Sequence, residues 1–280
     1  MYRIVRREAI RPAVTLLEIE APLIAKKAEP GQFIILRVDA DGERIPLTIN
    51  NYDREKGTVT IIFQVVGATT EKLNHVMEGE YIQDFVGPLG IATHTEGRKK
   101  VAVVGGGVGC AIAYPVAKKF HDMGAEVHSV IGFKSKDFVI LEDDFAAASS
   151  VLKVCTDDGS YGEPGLVTAA LKTLIDEGNE YDEVFAIGPM MMMKFVSLTT
   201  KPYGIKTVVS MSPIMIDGTG MCGGCRISVG GETKFACVDG PDFDGHQVDW
   251  DLAVQRSQMY QDYERHAYED ACNLFKKEVQ

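Results

Sequence analysis

Three cysteines stand close together near the C-terminus, whereas the other three are scattered along the chain. Cys222 and Cys225 form a C-x-x-C step, and Cys237 follows after eleven intervening residues. Clustered thiols favour metal or redox chemistry over structural disulfides in a reducing compartment. Glycines surround the pair, so backbone N–H groups can turn inward and hydrogen-bond the sulfides of an iron-sulfur cluster. The pattern predicts an iron-sulfur site within residues 217–237.

Three thiolates leave a four-ligand cluster one ligand short. Asp217 lies four intervening residues before Cys222 and is the candidate for the fourth ligand. A carboxylate has the same single negative charge as a thiolate and can bind ferric iron. Two alternatives are a structural zinc and a thioredoxin-like redox pair. A redox pair explains neither Cys237 nor the glycines, but the spacing alone does not distinguish a cluster from zinc.

A second candidate site lies in the stretch VAVVGGGVGCAIAYP, which predicts a strand, a tight glycine turn and a helix. The N–H groups at such a helix start can receive a pyrophosphate. The same glycines would also suit a turn without a ligand, where they only let strand and helix approach closely. Ligands of doubly wound sheets lie beyond the carboxyl ends of the strands. Two later strand ends are therefore predicted to line the site, at Asp158-Gly159 and at Gly188-Pro189-Met190.

The surrounding patterns predict two kinds of domain. Short strand-like runs between turn signals fill residues 14–90 and indicate an antiparallel barrel. From Arg98 onward, apolar strands alternate with helices, as in a parallel α/β sheet. The glycine-rich stretch 217–245 has no room for a large core, so a bound cluster would stabilise it. Helix-like spacing at Leu252, Met259 and Tyr263, after Asp249, predicts either an amphipathic surface helix or a helix that docks on a partner.

Charge and length restrict the function. The chain has 280 residues, enough for two compact domains and a small appendage. Its 29 Lys and Arg against 40 Asp and Glu give a net charge of −11. This charge repels nucleic acid phosphates and anionic membrane surfaces, so neither is a predicted partner. The first residues carry charges throughout, unlike a signal peptide, and no segment approaches about 18 apolar residues. We expect a cytoplasmic protein.

Barrel, glycine-turn domain and cysteine loop together resemble the ferredoxin-NADP reductase superfamily, specifically its iron-sulfur electron-transfer subunits. The resemblance spans essentially the whole chain. It is strongest to the small subunits of NADH-dependent reduced ferredoxin:NADP oxidoreductase, a group that includes sulfide dehydrogenase small subunits. The dihydroorotate dehydrogenase electron-transfer subunit is similar but more distant. The implied fold is an antiparallel FAD-binding β-barrel (1–97), a doubly wound parallel-sheet NAD(P)-binding α/β domain (98–210), a small C-terminal 2Fe-2S loop domain (211–248) and a helical tail (249–280).

The resemblance also implies cofactor contacts. In this superfamily an Arg-x-Tyr-Ser/Thr strand holds FAD, and the matching stretch here runs from Arg44 to Ile49. Leu47 replaces the aromatic residue, Arg44 sits one position early, and Thr48 is the implied catalytic residue near flavin N5. The other implied FAD contacts are Arg44, Pro46, Leu47, Phe63, Gln64, Val65, Gly67, Thr69 and Thr70. The phosphate turn of the nicotinamide domain corresponds to Gly105, Gly106, Gly107, Val108 and Gly109. Gly188, Pro189 and Met190 match an element near the nicotinamide, where Ile187 replaces the cysteine of the family.

The cysteine pattern is informative within the family. Dihydroorotate-type subunits have a C-x4-C-x2-C pattern and a distant fourth cysteine, and Asp217 stands where the first of them would. Three cysteines with an aspartate resemble the ferredoxin:NADP oxidoreductase small subunit, whose cluster is 2Fe-2S. The resemblance therefore implies a 2Fe-2S cluster held by Asp217, Cys222, Cys225 and Cys237.

The implied function is electron transfer. NADH would deliver a hydride to FAD, and single electrons would leave through the cluster to a larger iron-sulfur flavoprotein subunit. That complex would couple NADH, NADPH and, indirectly, ferredoxin by electron bifurcation. A sulfide dehydrogenase or polysulfide reductase small subunit would share every motif. A zinc-stabilised binding module without cofactors is the alternative from another class. Lys134 and Lys136 would suit the 2'-phosphate of NADP(H) and Asp137 a ribose hydroxyl, while the resemblance favours NAD(H).

Overall fold

The computed structural model describes residues 1–278, with side chains through Ala271, so positions 279 and 280 of the predicted tail lie outside the described residues. The first part of the chain forms a seven-stranded antiparallel sheet in the order β6-β1-β2-β5-β4-β3-β7. Its strands are β1 (Tyr2–Arg11), β2 (Val14–Glu20), β3 (Phe33–Arg37), β4 (Ile45–Asp53), β5 (Thr58–Gln64), β6 (Tyr81–Ile82) and β7 (Asp84–Leu89). Two short helices, α1 (Pro22–Ala25) and α2 (Ala68–Asn74), complete it.

This sheet is curled into a nearly closed barrel. The two edge strands, β6 and β7, are separated along the chain only by Gln83, so the sheet bends back toward its own edge. Alternate residues of each strand point inward, and the apolar ones, such as Leu17, Ile61 and Phe63, form the barrel core. The predicted antiparallel barrel is confirmed.

The second part is a doubly wound α/β unit with the strand order β11-β10-β9-β8-β12-β13-β16. Its strands are β8 (Lys100–Gly106), β9 (Glu126–Phe133), β10 (Val151–Thr156), β11 (Glu163–Pro164), β12 (Glu183–Ile187), β13 (Thr207–Ser210) and β16 (Asp242–Asp244). The helices are α3 (Cys110–Asp122), α4 (Glu142–Ala147), α5 (Val167–Asp176) and α6 (Met190–Thr200). One core packs α3 and α4 on the sheet, and another packs α5 and α6. All pairs from β11 to β13 are parallel, as predicted.

The cysteine segment, residues 211–248, is joined to the α/β unit at several points. Strands β14 (Arg226–Val229) and β15 (Glu232–Phe235) pair with each other. The next strand, β16, adds antiparallel to β13 as an edge strand. Helix α7 (Trp250–Ser257) follows, and the indole N–H of Trp250 donates to the Gly245 carbonyl at 3.0 Å. The segment is therefore held by strand pairing as well as by side-chain packing.

The C-terminal helices differ from a simple amphipathic tail. In α7, Trp250 and Ala253 are buried, whereas Leu252 of the predicted apolar spacing is exposed, as are Met259 and Tyr263 beyond it. Helix α8 (Gln261–Glu278) runs back to the barrel and contacts α2. Among the described residues, no helix has the length and apolar character to cross a bilayer. The predicted domain boundaries and the cytoplasmic location stay predictions.

A partly buried contact joins the three parts of the fold. Thr93, in the connection from barrel to α/β unit, donates its hydroxyl to Asp242 Oδ2 at 2.6 Å, and Asp242 begins β16. The backbone N–H of Thr93 donates to the Pro30 carbonyl of the barrel at 2.9 Å. Burial raises the pKa of Asp242 to about 6, although hydrogen bonds from the Thr93 and Ser210 hydroxyls act in the opposite direction. The carboxylate is thus costly to ionise where the barrel, the sheet and the cysteine segment meet.

This raised pKa predicts a pH effect on stability. The folded state binds the proton of the Asp242 carboxyl more tightly than the unfolded state does. This stabilisation of the fold is therefore full below the unfolded pKa of about 3.9 and is lost as the pH rises through about 6. Asp242→Asn is therefore expected to raise the free energy of unfolding at pH 7 by about 1–3 kcal/mol, with no gain at pH 4. Urea unfolding of both proteins from pH 4 to 7 measures this difference in the free energy of unfolding. Asp41→Asn, at an exposed residue, is the control. A wild-type pH profile in the Asp242 variant would contradict the assignment.

Candidate functional site

The glycine turn after β8 touches the turn after β12. Gly107 to Gly109 form a short helical turn that leads into α3. A Cβ atom added to Gly109 would lie 2.5 Å from Gly188 Cα and 2.7 Å from the Ile187 carbonyl oxygen. Because real Cβ atoms do not approach backbone that closely, only glycine fits here. The close approach brings two predicted binding motifs to one edge of the sheet.

A cavity of about 670 Å³ opens at this edge, at the carboxyl ends of the parallel strands. The predicted residues that line it are Gln64, Gly106, Gly107, Val108, Gly109, Gly188 and Pro189. Its further lining residues include Val14, Ile112, Phe133, Lys134, Asp157, Ile187, Met192, Ser210 and Ser212. Ser210 ends β13 and Ser212 follows it, so the strand-end rule that identified Gly188 could have found them. The cavity lies at the position where an α/β sheet of this order binds dinucleotides.

Other predicted residues of the nicotinamide domain lie outside the lining of this cavity. The Asp158 carboxylate accepts hydrogen bonds from the N–H and hydroxyl of Ser160, so it shapes the turn that contains Gly159. Met190 lines a second cavity, beside the cysteine segment. Gly105 lies inside β8, where a Cβ atom would be 2.9 Å from Cys110 Sγ. These residues support the site rather than form its surface.

The predicted flavin strand β4 lies next to the glycine turn. Pro46, Leu47 and Thr48 are half-buried, and Arg44 precedes the strand as an exposed residue. The Asn50 amide donates to the Ala111 carbonyl, in the first turn of α3, at 2.7 Å. Strand β4 is therefore fixed against the helix that starts at the dinucleotide turn.

Predicted flavin contacts after β5 have mixed positions. Phe63 is buried in the barrel core, Gln64 reaches the large cavity and Val65 is half-buried. The Thr70 hydroxyl accepts from the N–H groups of Val66 and Gly67, both at 3.0 Å, so it caps α2. In the same helix, the Thr69 hydroxyl donates to the Glu43 carboxylate at 3.1 Å. Among the described residues, no atom other than those of its chain neighbours lies within 4 Å of a Cβ built on Gly67, which immediately precedes α2.

The predicted cluster ligands form two pairs in the cysteine segment. The sulfurs of Cys225 and Cys237 are 3.2 Å apart, and both residues are buried. Asp217 Oδ2 accepts from the backbone N–H of Cys222 at 2.7 Å, and Cys222 is exposed. Among the described residues, no three Cys, His, Asp or Glu side chains converge as they would around a single metal ion. A 2Fe-2S unit has two irons with two protein ligands each, so its four ligands need not converge on one point.

The electrostatics of the four groups differ. Burial raises the pKa of the Cys237 thiol, and the adjacent Cys225 sulfur raises it further. The backbone N–H of Thr219 lowers the pKa of the Asp217 carboxyl, and that of Cys222 adds to the effect. Backbone N–H groups also face two of the sulfurs. Gly224 N lies 3.5 Å from Cys222 Sγ, and Cys237 N lies 3.5 Å from Cys225 Sγ. Metal ligation requires thiolates, so binding at Cys237 would release a proton.

The cysteine loop packs directly on the barrel. Gly218 has a φ of +74°, and a Cβ atom there would lie 2.6 Å from Leu89 Cδ1 and 2.9 Å from Ile35 Cδ1. Both the left-handed backbone and the lack of space require glycine. Phe33, which pairs with Thr48 across β3 and β4, belongs to the same buried core as Cys225 and Cys237. Strand β3, the neighbour of the predicted flavin strand, therefore contributes to the core that contains two of the predicted cluster ligands.

Comparison with known proteins agrees with this arrangement. Residues 212–249 match the family model of the iron-sulfur cluster binding domain of dihydroorotate dehydrogenase B. An uncharacterized protein in the adh 3' region of Clostridium beijerinckii is 50% identical over 268 residues, 93% of this chain and 90% of that protein. A dihydroorotate dehydrogenase B (NAD(+)) electron transfer subunit homolog of Thermotoga maritima is 45% identical, covering 96% of this chain and 95% of its own.

A solved structure is similar over the same length. A chain from the structure of the NADH-dependent reduced ferredoxin-NADP oxidoreductase superposes with a TM-score of 0.92 at 41% identity. The match covers 96% of this chain and 97% of that one. The predicted fold class and the predicted resemblance are confirmed. The chain therefore belongs to the family of iron-sulfur electron transfer subunits that includes the dihydroorotate dehydrogenase B electron transfer subunit homolog of T. maritima and this oxidoreductase chain.

Proposed function

We propose that the chain passes electrons between NAD(H) and a larger partner flavoprotein through FAD and a 2Fe-2S cluster. One observation carries the proposal: the dinucleotide cavity, the flavin strand β4 and the paired cysteines form one contiguous path. Asn50 fixes β4 to α3 beside the cavity, and Phe33 connects the neighbouring strand to the cysteine core. Adjacent strands are about 4.8 Å apart. Centres bound at these places would be near neighbours.

The residues of the chain then have distinct roles. Backbone N–H groups of Gly107, Val108 and Gly109 receive the pyrophosphate of the dinucleotide at the start of α3. Thr48 would contact the flavin, and the start of α2 at Gly67 would receive its phosphates. When bound, FAD supplies the exchange between two-electron hydride chemistry and single-electron transfer. Asp217 with Cys222 would hold one iron, and Cys225 with Cys237 would hold the other.

The dinucleotide is NAD(H) in this proposal. Lys134 lines the cavity, but the Lys136 ammonium lies 5.5 Å from the centre of the Tyr161 ring, where a cation–π contact holds it. Asp157 contributes a carboxylate to the same wall of the cavity. A carboxylate there would disfavour a 2'-phosphate and can accept from a ribose hydroxyl. The T. maritima relative is also named for NAD(+).

The partner follows from the relatives. The T. maritima protein is named as an electron transfer subunit homolog, and the solved relative is a chain of an oxidoreductase studied for flavin-based electron bifurcation. We infer a cytoplasmic complex with a larger iron-sulfur flavoprotein, through which ferredoxin and NADPH exchange electrons with this chain. The match of residues 212–249 to an iron-sulfur domain favours the cluster over zinc.

Anaerobic purification with the neighbouring large subunit tests the function. Flavin absorption bands, about two irons per chain and an EPR signal of a reduced 2Fe-2S cluster after NADH addition are expected. NADPH at the same concentration should reduce the flavin of the isolated small subunit more slowly. A colourless chain with one zinc and no flavin would refute the electron-transfer function.

Asp217→Cys tests the proposed oxygen ligand. The variant is expected to keep a cluster, because cysteine is the usual ligand, but with changed visible and EPR spectra and a changed midpoint potential. Asp239→Cys, which places a new thiol elsewhere in the same segment, is the control. Wild-type spectra and potential in the Asp217 variant would mean that Asp217 only caps the loop through its contacts to Thr219 and Cys222.

A further inference from the structure

Two arginines reach the carbonyl groups inside the C-x-x-C turn. Arg226 NH1 donates to the Gly223 carbonyl at 2.9 Å, and Arg256 NH2 donates to the Gly224 carbonyl at 3.2 Å. Both side chains line the cavity beside the cysteine segment. Gly223 and Gly224 are the only residues between Cys222 and Cys225. Arg226 therefore holds the peptide group between Gly223 and Gly224, and Arg256 holds the peptide group between Gly224 and Cys225.

The planarity of the peptide group transmits this hold to the sulfurs. The Gly223 carbonyl and the Gly224 N–H belong to one planar unit and point in opposite directions. With the carbonyl turned to Arg226, the Gly224 N–H faces Cys222 Sγ at 3.5 Å. The next unit combines the Gly224 carbonyl, held by Arg256, with the N–H of Cys225. The arginines thus set the direction of both N–H groups in the turn.

Arg256 comes from a rigid element. The Asp249 carboxylate accepts from the Leu252 N–H at 3.0 Å and caps the start of α7. Trp250 and Ala253 bury the inner face of this helix, and the backbone N–H of Asp249 donates to the Ser228 carbonyl of β14 at 2.9 Å. The packing of α7 on β14 therefore fixes where the guanidinium of Arg256 can reach.

The two arginines form no ion pair with any side chain of residues 1–271, although Glu264 lines the same cavity. Arg226 is exposed, whereas Arg256 is half-buried and less screened by solvent. A reduced cluster has one more negative charge than the oxidised cluster, so an unpaired positive charge next to it stabilises the reduced form. The half-buried Arg256 should have the larger effect.

We propose that Arg226 and Arg256 are positioning residues of the iron-sulfur site, which orient the peptide groups of the C-x-x-C turn toward the ligand sulfurs and raise the reduction potential of the cluster. This inference rests on the proposed function, because it presupposes the cluster. It gives α7 a role in the site, although this helix lies beyond the cysteine segment in the sequence.

Arg256→Gln in the purified holoprotein is the test. The midpoint potential from EPR-monitored titration is expected to shift to more negative values. Iron loss to a chelator is expected to be roughly 10–100-fold faster, as for other outer-sphere partners of metal ligands. Arg256→Lys keeps the charge but not the planar fork, so it should restore the potential more than the iron retention. Arg226→Gln should shift the potential in the same direction by less.

Arg6→Gln, on the outer barrel strand β1, is the matched control and should leave both readouts unchanged. A wild-type potential with a wild-type rate of iron loss in Arg256→Gln overturns the inference. If Arg256→Gln does not fold, iron loss from Arg256→Lys decides in the same way, and a wild-type rate overturns it. A wild-type chain that holds no iron would instead refute the proposed function, so the two failures are distinguishable.

Discussion

Cys237→Ser is expected to reduce the iron content from about two atoms per chain to near zero and to abolish the EPR signal after NADH addition. Cys237 is buried at 2% exposure beside Cys225, so no other donor can replace it from solvent. Serine lacks the soft thiolate that iron prefers. Because the cysteine segment depends on ligand bonds for stability, its unfolding should also occur at lower temperature. Iron analysis, EPR and thermal unfolding measure the three effects.

A matched control separates ligation from packing. Cys155→Ser makes the same change at a cysteine of equal burial, 2% exposed, in β10 and in the same core. It should retain the iron content and the EPR signal. Reduction of the flavin by NADH should persist in Cys237→Ser, because the cavity and β4 are unchanged. A Cys237 variant with full iron content and a 2Fe-2S signal would exclude this residue as a ligand.

The regular elements could be predicted because their signals are local. The stretch VAVVGGGVGCAIAYP formed β8, the glycine turn and the first part of α3, as predicted. Apolar runs between glycines and the alternation of strands with helices determine these elements within short windows. The glycine turn and Gly188-Pro189 also indicated the edge of the sheet at which the large cavity opens, whereas Asp158 and Gly159 lie outside its lining.

The rest depends on contacts between distant parts of the chain. Nothing near Asp242 in the sequence indicates that β16 pairs with β13, because a three-residue strand takes its partner from tertiary packing. The apolar spacing of the tail did not identify Trp250 and Ala253 as its buried residues. Arg256 lies 32 residues after the carbonyl that it contacts, so its role at the cysteine turn has no local signal. Met190 and Met192 line different cavities, and the sequence could not predict this difference because the two side chains are identical.

These long-range contacts concentrate at the functional site. The cysteine segment has too little apolar surface to fold by burial alone, so β13, the barrel and α7 each contribute one side of its environment. The Thr93–Asp242 contact and Gly218 join it to the barrel, and the two arginines join it to α7. Assembly of the electron path therefore requires all parts of the chain to be folded together.

Gly109→Ala is expected to weaken NADH binding at least tenfold and to lower the free energy of unfolding by about 1–3 kcal/mol. The φ of Gly109 is −59°, which alanine adopts easily, so backbone strain is not the cause. The cause is the added Cβ, which would lie 2.5 Å from Gly188 Cα. Because both neighbours are backbone, the turns after β8 and β12 must separate, and the cavity between them loses its shape. NADH titration and urea unfolding measure the two effects.

Gly124→Ala, at the other end of α3, is the matched control for this prediction. Its φ of +84° strains alanine, but among the described residues no atom beyond its chain neighbours lies within 4 Å of the new Cβ. It should therefore lose about 1–2 kcal/mol of stability and keep the affinity for NADH. Equal loss of affinity in both variants would attribute the effect to general destabilisation. Wild-type affinity in Gly109→Ala would mean that the two turns can separate without cost, and that their close approach does not form the dinucleotide site.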